Sequence, residues 1–319
     1  MAKLDFGKIG VLMGGPSTER EISLKSGKTV YESLNQAGLK VIAIDIKSDG
    51  KDENIRLIKS HGIDVAFIAL HGRFGEDGQI QEILDILKIP YTGSGAVASR
   101  LAMDKIASRK IFEASGLAIP RYKTEDKLSY KANWKAHHND FVLPLVVKPA
   151  THGSSIGLSI VDREEYLDKS VDLAFSFDER IIIEEYISGR EVTVGILDEK
   201  ALPVIEIIPK KRFFDYEAKY QTGMTDYVVP AELEDEIARN IQKTALSAHK
   251  LLGCYGCSRV DMILSNDDIP FVLEVNTIPG LTATSLLPKA AKVVGIDFPQ
   301  LCIRLIGLAY DKTQNKPTD

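Results

Sequence analysis

The sequence predicts an α/β chain of more than one domain that opens with a doubly wound parallel sheet and continues as α+β. Three observations predict it. At 319 residues the chain exceeds what one ordinary core organises. Over its first ninety or so positions, short apolar runs alternate with stretches of helical period. Beyond Pro120, strands are joined by hairpin-like turns as well as by helices.

The first strand covers 8–13 and ends on Gly14-Gly15-Pro16-Ser17. Thr18 and Glu21 have capping-box spacing before a helix expected to bury Ile22, Val30, Leu34 and Ala37 and to stop near Gly38. Further strands are expected over 40–46 and 64–70. The loop His71-Gly72-Arg73-Phe74-Gly75-Glu76-Asp77-Gly78 then leaves a strand's carboxyl end, where such sheets bind ligands. Ile80, Ile83, Leu84 and Leu87 form an i, i+3, i+4, i+7 stripe and belong to the core. Gly14-Gly15 is not followed by the rest of a G-x-G-x-x-G fingerprint, and Glu19 at the helix start would repel a pyrophosphate. Glu19 suits a cationic group such as a substrate amine; simple pairing with the helix dipole explains it equally well.

One long helix is expected over 94–115, carrying Lys105. Strands follow at 145–148, 158–161 and 180–186. Between the first two runs Pro149-Ala150-Thr151-His152-Gly153-Ser154-Ser155-Ile156-Gly157, small residues whose N–H groups can fold over phosphates, with Lys148 at its edge. It is not a P-loop, because the order G-x-x-x-x-G-K-[ST] is missing. Strands at 191–197 and 202–208 precede a long non-periodic loop over 209–230, rich in aromatics and paired charges and read as a lid. A helix over 232–252, a hairpin, a helix from Ser285 with Leu286, Ala290 and Val293 inward, and a last helix marked by Leu301, Leu305 and Leu308 complete the chain.

Hydrophobic residues make up 44% and charged residues 27%, the balance of a soluble globular protein. The net charge of −5 is spread along the chain with no basic tract, which argues against nucleic acid and anionic membrane as partners. No apolar leader or bilayer-length run is present, so a cytoplasmic location is expected. Cys254 and Cys257 form a CxxC without a second pair or a nearby histidine. They read as small, half-buried thiols in a reducing compartment.

The chemistry concentrates in the hairpin formed by 258–264 and 271–275 around the turn Ser265-Asn266-Asp267-Asp268-Ile269-Pro270. Alternate side chains of a strand share a face, so Arg259 joins Asp261, and Glu274 joins Asn276 opposite Leu273 and Val275. Pairing the strands gathers two carboxylates, an amide and a guanidinium. Hard oxygen ligands of this kind hold magnesium beside phosphates, which points to phosphoryl transfer on a metal.

Five stretches now carry a resemblance along nearly the whole chain: Gly14-Gly15-Pro16-Ser17-Thr18-Glu19-Arg20-Glu21-Ile22-Ser23, Leu70-His71-Gly72-Arg73-Phe74-Gly75-Glu76-Asp77-Gly78, Met103-Asp104-Lys105, Asp215-Tyr216-Glu217-Ala218-Lys219-Tyr220 and Glu274-Val275-Asn276-Thr277-Ile278-Pro279-Gly280-Leu281-Thr282. In this order they resemble the ATP-grasp ligases, and within them the D-alanine–D-alanine ligase family. The resemblance implies a three-domain ATP-grasp architecture, 1–97, 98–187 and 188–319, with ATP between the second and third domains. It implies two Mg²⁺ ions, or Mn²⁺, on Asp261, Glu274 and Asn276. Lys105 and Lys148 look like the lysines that contact ATP phosphates, with Ser154 and Ser155 in the loop over them. Glu184, Glu185, Ile187 and Glu191 would line the adenine and ribose pocket, with Phe213 near the base and Lys219 also at the nucleotide.

By the same resemblance, Glu19 accepts the amine of a first D-alanine with His71 nearby, and Ser154 and Tyr220 hydrogen-bond with Glu19. Ser285 and Lys219 clamp the carboxylate of a second D-alanine, and Arg259 with the Gly280 N–H forms an oxyanion hole. The implied reaction joins two D-alanines through an acyl phosphate, for peptidoglycan precursors, in a cytoplasmic homodimer. Two stretches depart from the family's usual pattern: Ala150-Thr151-His152, a segment commonly more charged, and Cys254-Tyr255-Gly256-Cys257. The alternatives are a depsipeptide ligase joining D-alanine to D-lactate or another hydroxy acid, another ATP-grasp carboxylate–amine ligase, and a catalytically inactive ATP-binding protein. The last would leave the intact Lys148, Arg259, Asp261, Glu274 and Asn276 without a use. An NAD-dependent dehydrogenase is disfavoured by the missing glycine fingerprint.

Overall fold

Three sheets organise the chain in this computed structural model, which describes residues 5–133, 141–210 and 224–314. The first is parallel, in the order β2-β1-β3, from β1 (Lys8–Gly14), β2 (Lys40–Ile46) and β3 (Val65–Ile68). α1 (Arg20–Gln36) and α2 (Lys51–His61) are the crossovers, and α3 (Gln79–Leu87) follows β3. Parallel strands need such helical connections, and their burial on both faces accounts for runs as apolar as Val65–Ile68.

α1 starts one residue beyond Glu19, and the capping box of Thr18 and Glu21 does not form. Instead the Ser17 hydroxyl accepts the Glu19 N–H at 3.2 Å. The helix buries Ser23, Ser26, Gly27, Val30 and Leu34, while Ile22 is only half-buried and Ala37 is exposed. Small residues win this face because the helix lies close on β1: a Cβ on Gly27 would come within 2.4 Å of Met13 Cβ.

The helix expected over 94–115 is two helices, α4 (Ala96–Met103) and α5 (Lys105–Ala114). Asp104, in an extended conformation, breaks the run. Its side chain caps α5 by accepting the N–H groups of Ile106 and Ala107. The second sheet is antiparallel, β4-β7-β5-β6, from β4 (Tyr122–Asp126), β5 (Leu145–Pro149), β6 (Ser159–Val161) and β7 (Arg180–Glu185). β4 was not foreseen, since Tyr-Lys-Thr-Glu-Asp is polar; it forms by pairing along the edge of β7. α6 (Lys127–Asn133) follows β4, and α7 (Leu167–Phe175) packs on this sheet with Leu167, Val171 and Ala174 buried.

The third sheet runs β11-β10-β8-β12-β13, with β9 (Lys200–Ala201) added to β8 (Gly189–Leu197). β10 (Ile205–Pro209) and β11 (Thr225–Val228) pair antiparallel, so the stretch expected as loop over 209–230 contains a strand at 225–228, made regular by its partner β10. α8 (Asp235–Leu251) buries Ile241, Ala245 and Ala248 against β8, β12 (Cys257–Ser265) and β13 (Pro270–Asn276). α9 (Leu286–Val293) turns Ala290 inward as expected, with Leu287 and Ala291 buried beside it, while Leu286 is half-buried and Val293 is exposed. α10 (Phe298–Gln314) returns to the first sheet, where Leu301 and Leu305 share a core with Val30, Leu34 and Phe67.

Cys254, Cys257 and Cys302 are free and fully buried rather than half-buried, and burial pushes the thiols up, Cys254 to about 11 and Cys257 to about 12. Among the described residues no single helix is long and apolar enough to cross a membrane.

Candidate active site

The hairpin of β12 and β13 positions the densest chemistry. Asp261 lies opposite Glu274 and Arg259 opposite Asn276, as strand alternation requires. Between Asp261 and Met262 the register slips by one, which leaves Leu273 as the extra residue of a bulge. Simple alternation put Leu273 and Glu274 on opposite faces; the bulge lets both line one cleft.

Asp261 is buried and oriented by three donors, which leave acceptor capacity on its carboxylate. Its carboxylate accepts Thr193 Oγ1 at 2.6 Å and Arg259 Nε and Nη2 at 2.8 and 2.7 Å. Glu274 Oε2 lies 3.2 Å from Lys105 Nζ, and Asn276 Oδ1 accepts the Ile278 N–H at 2.9 Å. Among the described residues no three histidine, cysteine or carboxylate side chains cluster as a self-sufficient metal cage. Two carboxylates and an amide oxygen on one hairpin instead fit a hard cation that brings phosphate and water oxygens of its own.

A cleft of about 370 Å³ opens between the second and third sheets. Val146, Ile160, Ile207, Ile263 and Leu273 supply its apolar walls, while Lys105, Lys148, Ser155, Glu184, Glu185, Ile187, Glu191, Asp261 and Glu274 also face it. Apolar walls with convergent polar groups suit an apolar base joined to a charged tail. Lys148 donates to Glu184 Oε1 at 2.7 Å. Burial outweighs that partner and brings Lys148 down to about 8. Glu184 is nearly inaccessible, with Lys148 on one oxygen and Arg109 on the other, so it is a structural anchor of the cleft as much as a wall. Glu185 accepts the Arg121 N–H at 2.9 Å.

A second cavity, about 470 Å³, adjoins the first. Glu19, His71, Ser154, Arg259, Asn276, Gly280 and Ser285 line it, drawn from all three sheet regions. The two cavities share Lys105 and Glu274 as a common wall. Lys105 is fixed there by donating to the His152 carbonyl at 2.7 Å. Ser154 and Ser155 both hold positive φ, +54° and +58°, which curls their loop toward the boundary, and the Ser154 hydroxyl donates to Glu19.

His71 is buried between Ser26 Oγ, 3.0 Å from Nε2, and Glu76, 3.5 Å from Nδ1. Burial above all, with the Glu19 charge nearby, pushes the Glu76 carboxyl up. The backbone passes close to Glu19, since a Cβ on Gly72 would come 2.7 Å from its Oε2. Ser285 is the N-cap residue of α9 and its hydroxyl accepts the Thr282 N–H at 3.1 Å. Gly280 sits tightly against it, its own Cβ position being 3.0 Å from Ser285 Oγ.

The sequence-predicted set is thus brought together, except Phe213, Lys219 and Tyr220, which lie outside the described residues. Other residues went unnoticed. Lys25, Glu76, Tyr227 and Lys289 line the second cavity, and Arg109 supports the first. The Lys289 ammonium rests over the Tyr227 ring at 4.0 Å, and burial lowers its pKa. Its spacing of four from Ser285 along one helix was the available signal. Tyr227 and Arg109 carried no local signal.

Comparison with known proteins agrees with this geometry. The model of the D-ala D-ala ligase C-terminus matches residues 111–307, and that of the N-terminus matches 8–60 and 52–94. A D-alanine–D-alanine ligase of Pelotomaculum thermopropionicum is 46% identical over 95% of this chain and 97% of its own. One from Geotalea uraniireducens is also 46% identical, over 95% of each chain. Among solved structures, the D-alanine–D-alanine ligase of Bacillus anthracis superposes with a TM-score of 0.86 at 37% identity, covering 96% of this chain and 98% of its own. The VanG D-Ala:D-Ser ligase of Enterococcus faecalis superposes at 0.83 with 33% identity, over 95% and 99%. By model, sequence and structure together, the chain belongs to the D-alanine–D-alanine ligase family.

Proposed function

We propose that the chain joins two D-alanines into D-alanyl-D-alanine with conversion of ATP to ADP and phosphate, for peptidoglycan precursors. The observation that carries the reading is the shared wall: a base-and-phosphate cleft meets an amino-acid-sized cavity at Lys105 and Glu274. A Bacillus anthracis relative solved in complex with ATP superposes at a TM-score of 0.82 with 34% identity over 96% of this chain, which supports ATP as the nucleotide.

In the first step a carboxylate oxygen of the first D-alanine attacks the γ-phosphorus. The bond from that phosphorus to the β-bridging oxygen breaks, and ADP leaves. Glu19 holds the donor's ammonium, with His71 beside it, and Lys105 and Lys148 bind phosphate oxygens. The Ser154 and Ser155 backbone closes over them, and Ile187, Glu191 and Phe213 receive the nucleoside with Glu184 and Glu185 at its edge. Asp261, Glu274 and Asn276 are the residues that would hold two magnesium or manganese ions, which when bound offset the phosphate charge. In the second step the neutral amine of the second D-alanine attacks the acyl carbon. A C–N bond forms, the C–O bond to phosphate breaks, and the proton lost by the nitrogen ends on the departing phosphate. Arg259 and the Gly280 N–H face the oxygen that becomes negative. Ser285 with Lys219 holds the acceptor carboxylate, and Tyr220 joins the Ser154–Glu19 pair. Exclusion of water then protects the acyl phosphate.

On this reading the units 1–97, 98–187 and 188–319 are three domains, and the protein is a cytoplasmic homodimer. Because the Enterococcus relative is a D-Ala:D-Ser ligase, the deciding experiment offers ATP with D-alanine, L-alanine, D-serine and D-lactate and identifies each product. D-alanyl-D-alanine as the main product is the expected result; no ADP with D-alanine overturns the reading.

A further inference from the structure

We propose that Arg109 is a positioning residue for nucleotide binding, acting through Glu184 to keep the Lys148 ammonium available to phosphate. The inference rests on Lys148 facing the nucleotide in the cleft as read above.

Arg109 lies on α5 and is almost wholly buried, an unusual place for a guanidinium unless paired. Its Nη2 sits 2.5 Å from Glu184 Oε2, a contact of charge rather than an aligned hydrogen bond. Its Nη1 donates to the Pro120 carbonyl at 3.3 Å, and its guanidinium lies 5.4 Å from the Tyr122 ring centroid. Glu184 Oε1 meanwhile takes Lys148 at 2.7 Å. One buried carboxylate therefore serves two buried cations, leaving one net positive charge at the cleft wall.

That surplus has a consequence for phosphate. A buried lysine alone with a buried carboxylate would be a neutral pair, with little to offer a third group. With Arg109 occupying the second oxygen, Glu184 holds Lys148 in place without satisfying its charge. The charged groups acting on Lys148 are Glu184 from β7 and Arg109 and Lys105 from α5, and the same cleft is lined by His152, by Glu185 from β7, Arg190 and Glu191 from β8, Glu206 from β10, and Asp261 and Glu274 from β12 and β13. Burial lowers Lys148 to about 8, Glu184 opposes that, and Arg109 and Lys105 add to it. Removing Arg109 raises the lysine's pKa while tightening its hold on Glu184, so nucleotide affinity falls and its loss at alkaline pH moves to higher pH.

The test is binding of a non-hydrolysable ATP analogue with magnesium to the full-length protein by calorimetry, from about pH 7 to 10, without amino acid. Wild type is expected to lose affinity as pH rises through about 8, where Lys148 gives up its proton. Arg109→Met is expected to bind about tenfold more weakly at neutral pH, with its alkaline loss displaced upward. Arg109→Lys, which keeps the charge, is expected to restore much of the affinity and the wild-type profile. A merely structural arginine would lower the melting temperature of both variants and leave the alkaline limb in place. An Arg109→Met protein that binds like wild type, or whose alkaline limb does not move, overturns the proposal. Absence of binding by wild type itself would refute the ATP reading instead. If Arg109→Met does not fold, Arg109→Gln, which also removes the charge, takes its place: an alkaline limb displaced upward with weaker binding upholds the inference, and an unmoved limb overturns it.

Discussion

The Ser154 hydroxyl donates to the Glu19 carboxylate, joining residues 135 positions apart in the chain. The bond ties the loop after β5 to the start of α1, and both residues line the cavity assigned to the amino acids. Glu19→Gln removes the charge offered to the donor's ammonium. A hydrogen bond to a charged group is worth about 1.5–3 kcal/mol, so the KM for the first D-alanine should rise roughly tenfold to a hundredfold. The KM for ATP should stay nearly constant. Initial-rate kinetics over both D-alanine sites checks this, and an unchanged first KM removes Glu19 from substrate binding.

Asp261→Asn and Glu274→Gln should both cut turnover severely, by the few kcal/mol typical of a lost transition-state charge partner. Their stabilities should differ. Asp261 is buried under Arg259 and Thr193, so its substitution leaves a guanidinium without its carboxylate and should lower the melting temperature. Glu274 is more exposed than Asp261, so its loss should cost less stability. Turnover with paired thermal melts measures both effects; near-normal turnover in both variants rules out the metal assignment.

Acid should destabilise the fold through His249. Its Nδ1 lies 2.7 Å from Ser258 Oγ in the core, and burial lowers it to about 4 from 6.5. The unfolded chain binds the proton first, so stability is complete above pH 6.5, declines as pH falls toward 4, and changes no further below it. The contribution is on the order of 3 kcal/mol. Denaturant unfolding at stepped pH should show this slope in wild type and a smaller one in His249→Gln; equal slopes would exclude His249 as the source.

Tyr220→Phe should move acceptor choice from D-alanine toward D-lactate. One hydroxyl in a hydrogen-bonded network is worth about 0.5–1.5 kcal/mol, so the product ratio should shift by roughly up to tenfold. Wild type should make little depsipeptide at neutral pH. Competition between the two acceptors at several pH values reads the ratio, and a variant that tracks wild type reduces Tyr220 to packing.

Local patterns in the chain were enough to establish the parallel first sheet, the stripe Ile80, Ile83, Leu84 and Leu87, and the shared face of Arg259 and Asp261. Strand and helix periods are written in neighbouring residues, and the hairpin needs only a turn to close it. Motif order along the chain also carried the family, because each motif is contiguous.

Tertiary structure decided what depended on distant partners. The break at Asp104 follows from a helix whose cap also meets Arg180, 76 positions away. The bulge at Leu273 depends on which residues of β12 it must match. β4 is strand because β7 offers its edge. Above all, Arg109 shows no sign in the sequence of being more than an ordinary helix arginine. It becomes part of the nucleotide cleft only because folding buries it against Glu184, where low polarisability makes a charge count far more than it does in water.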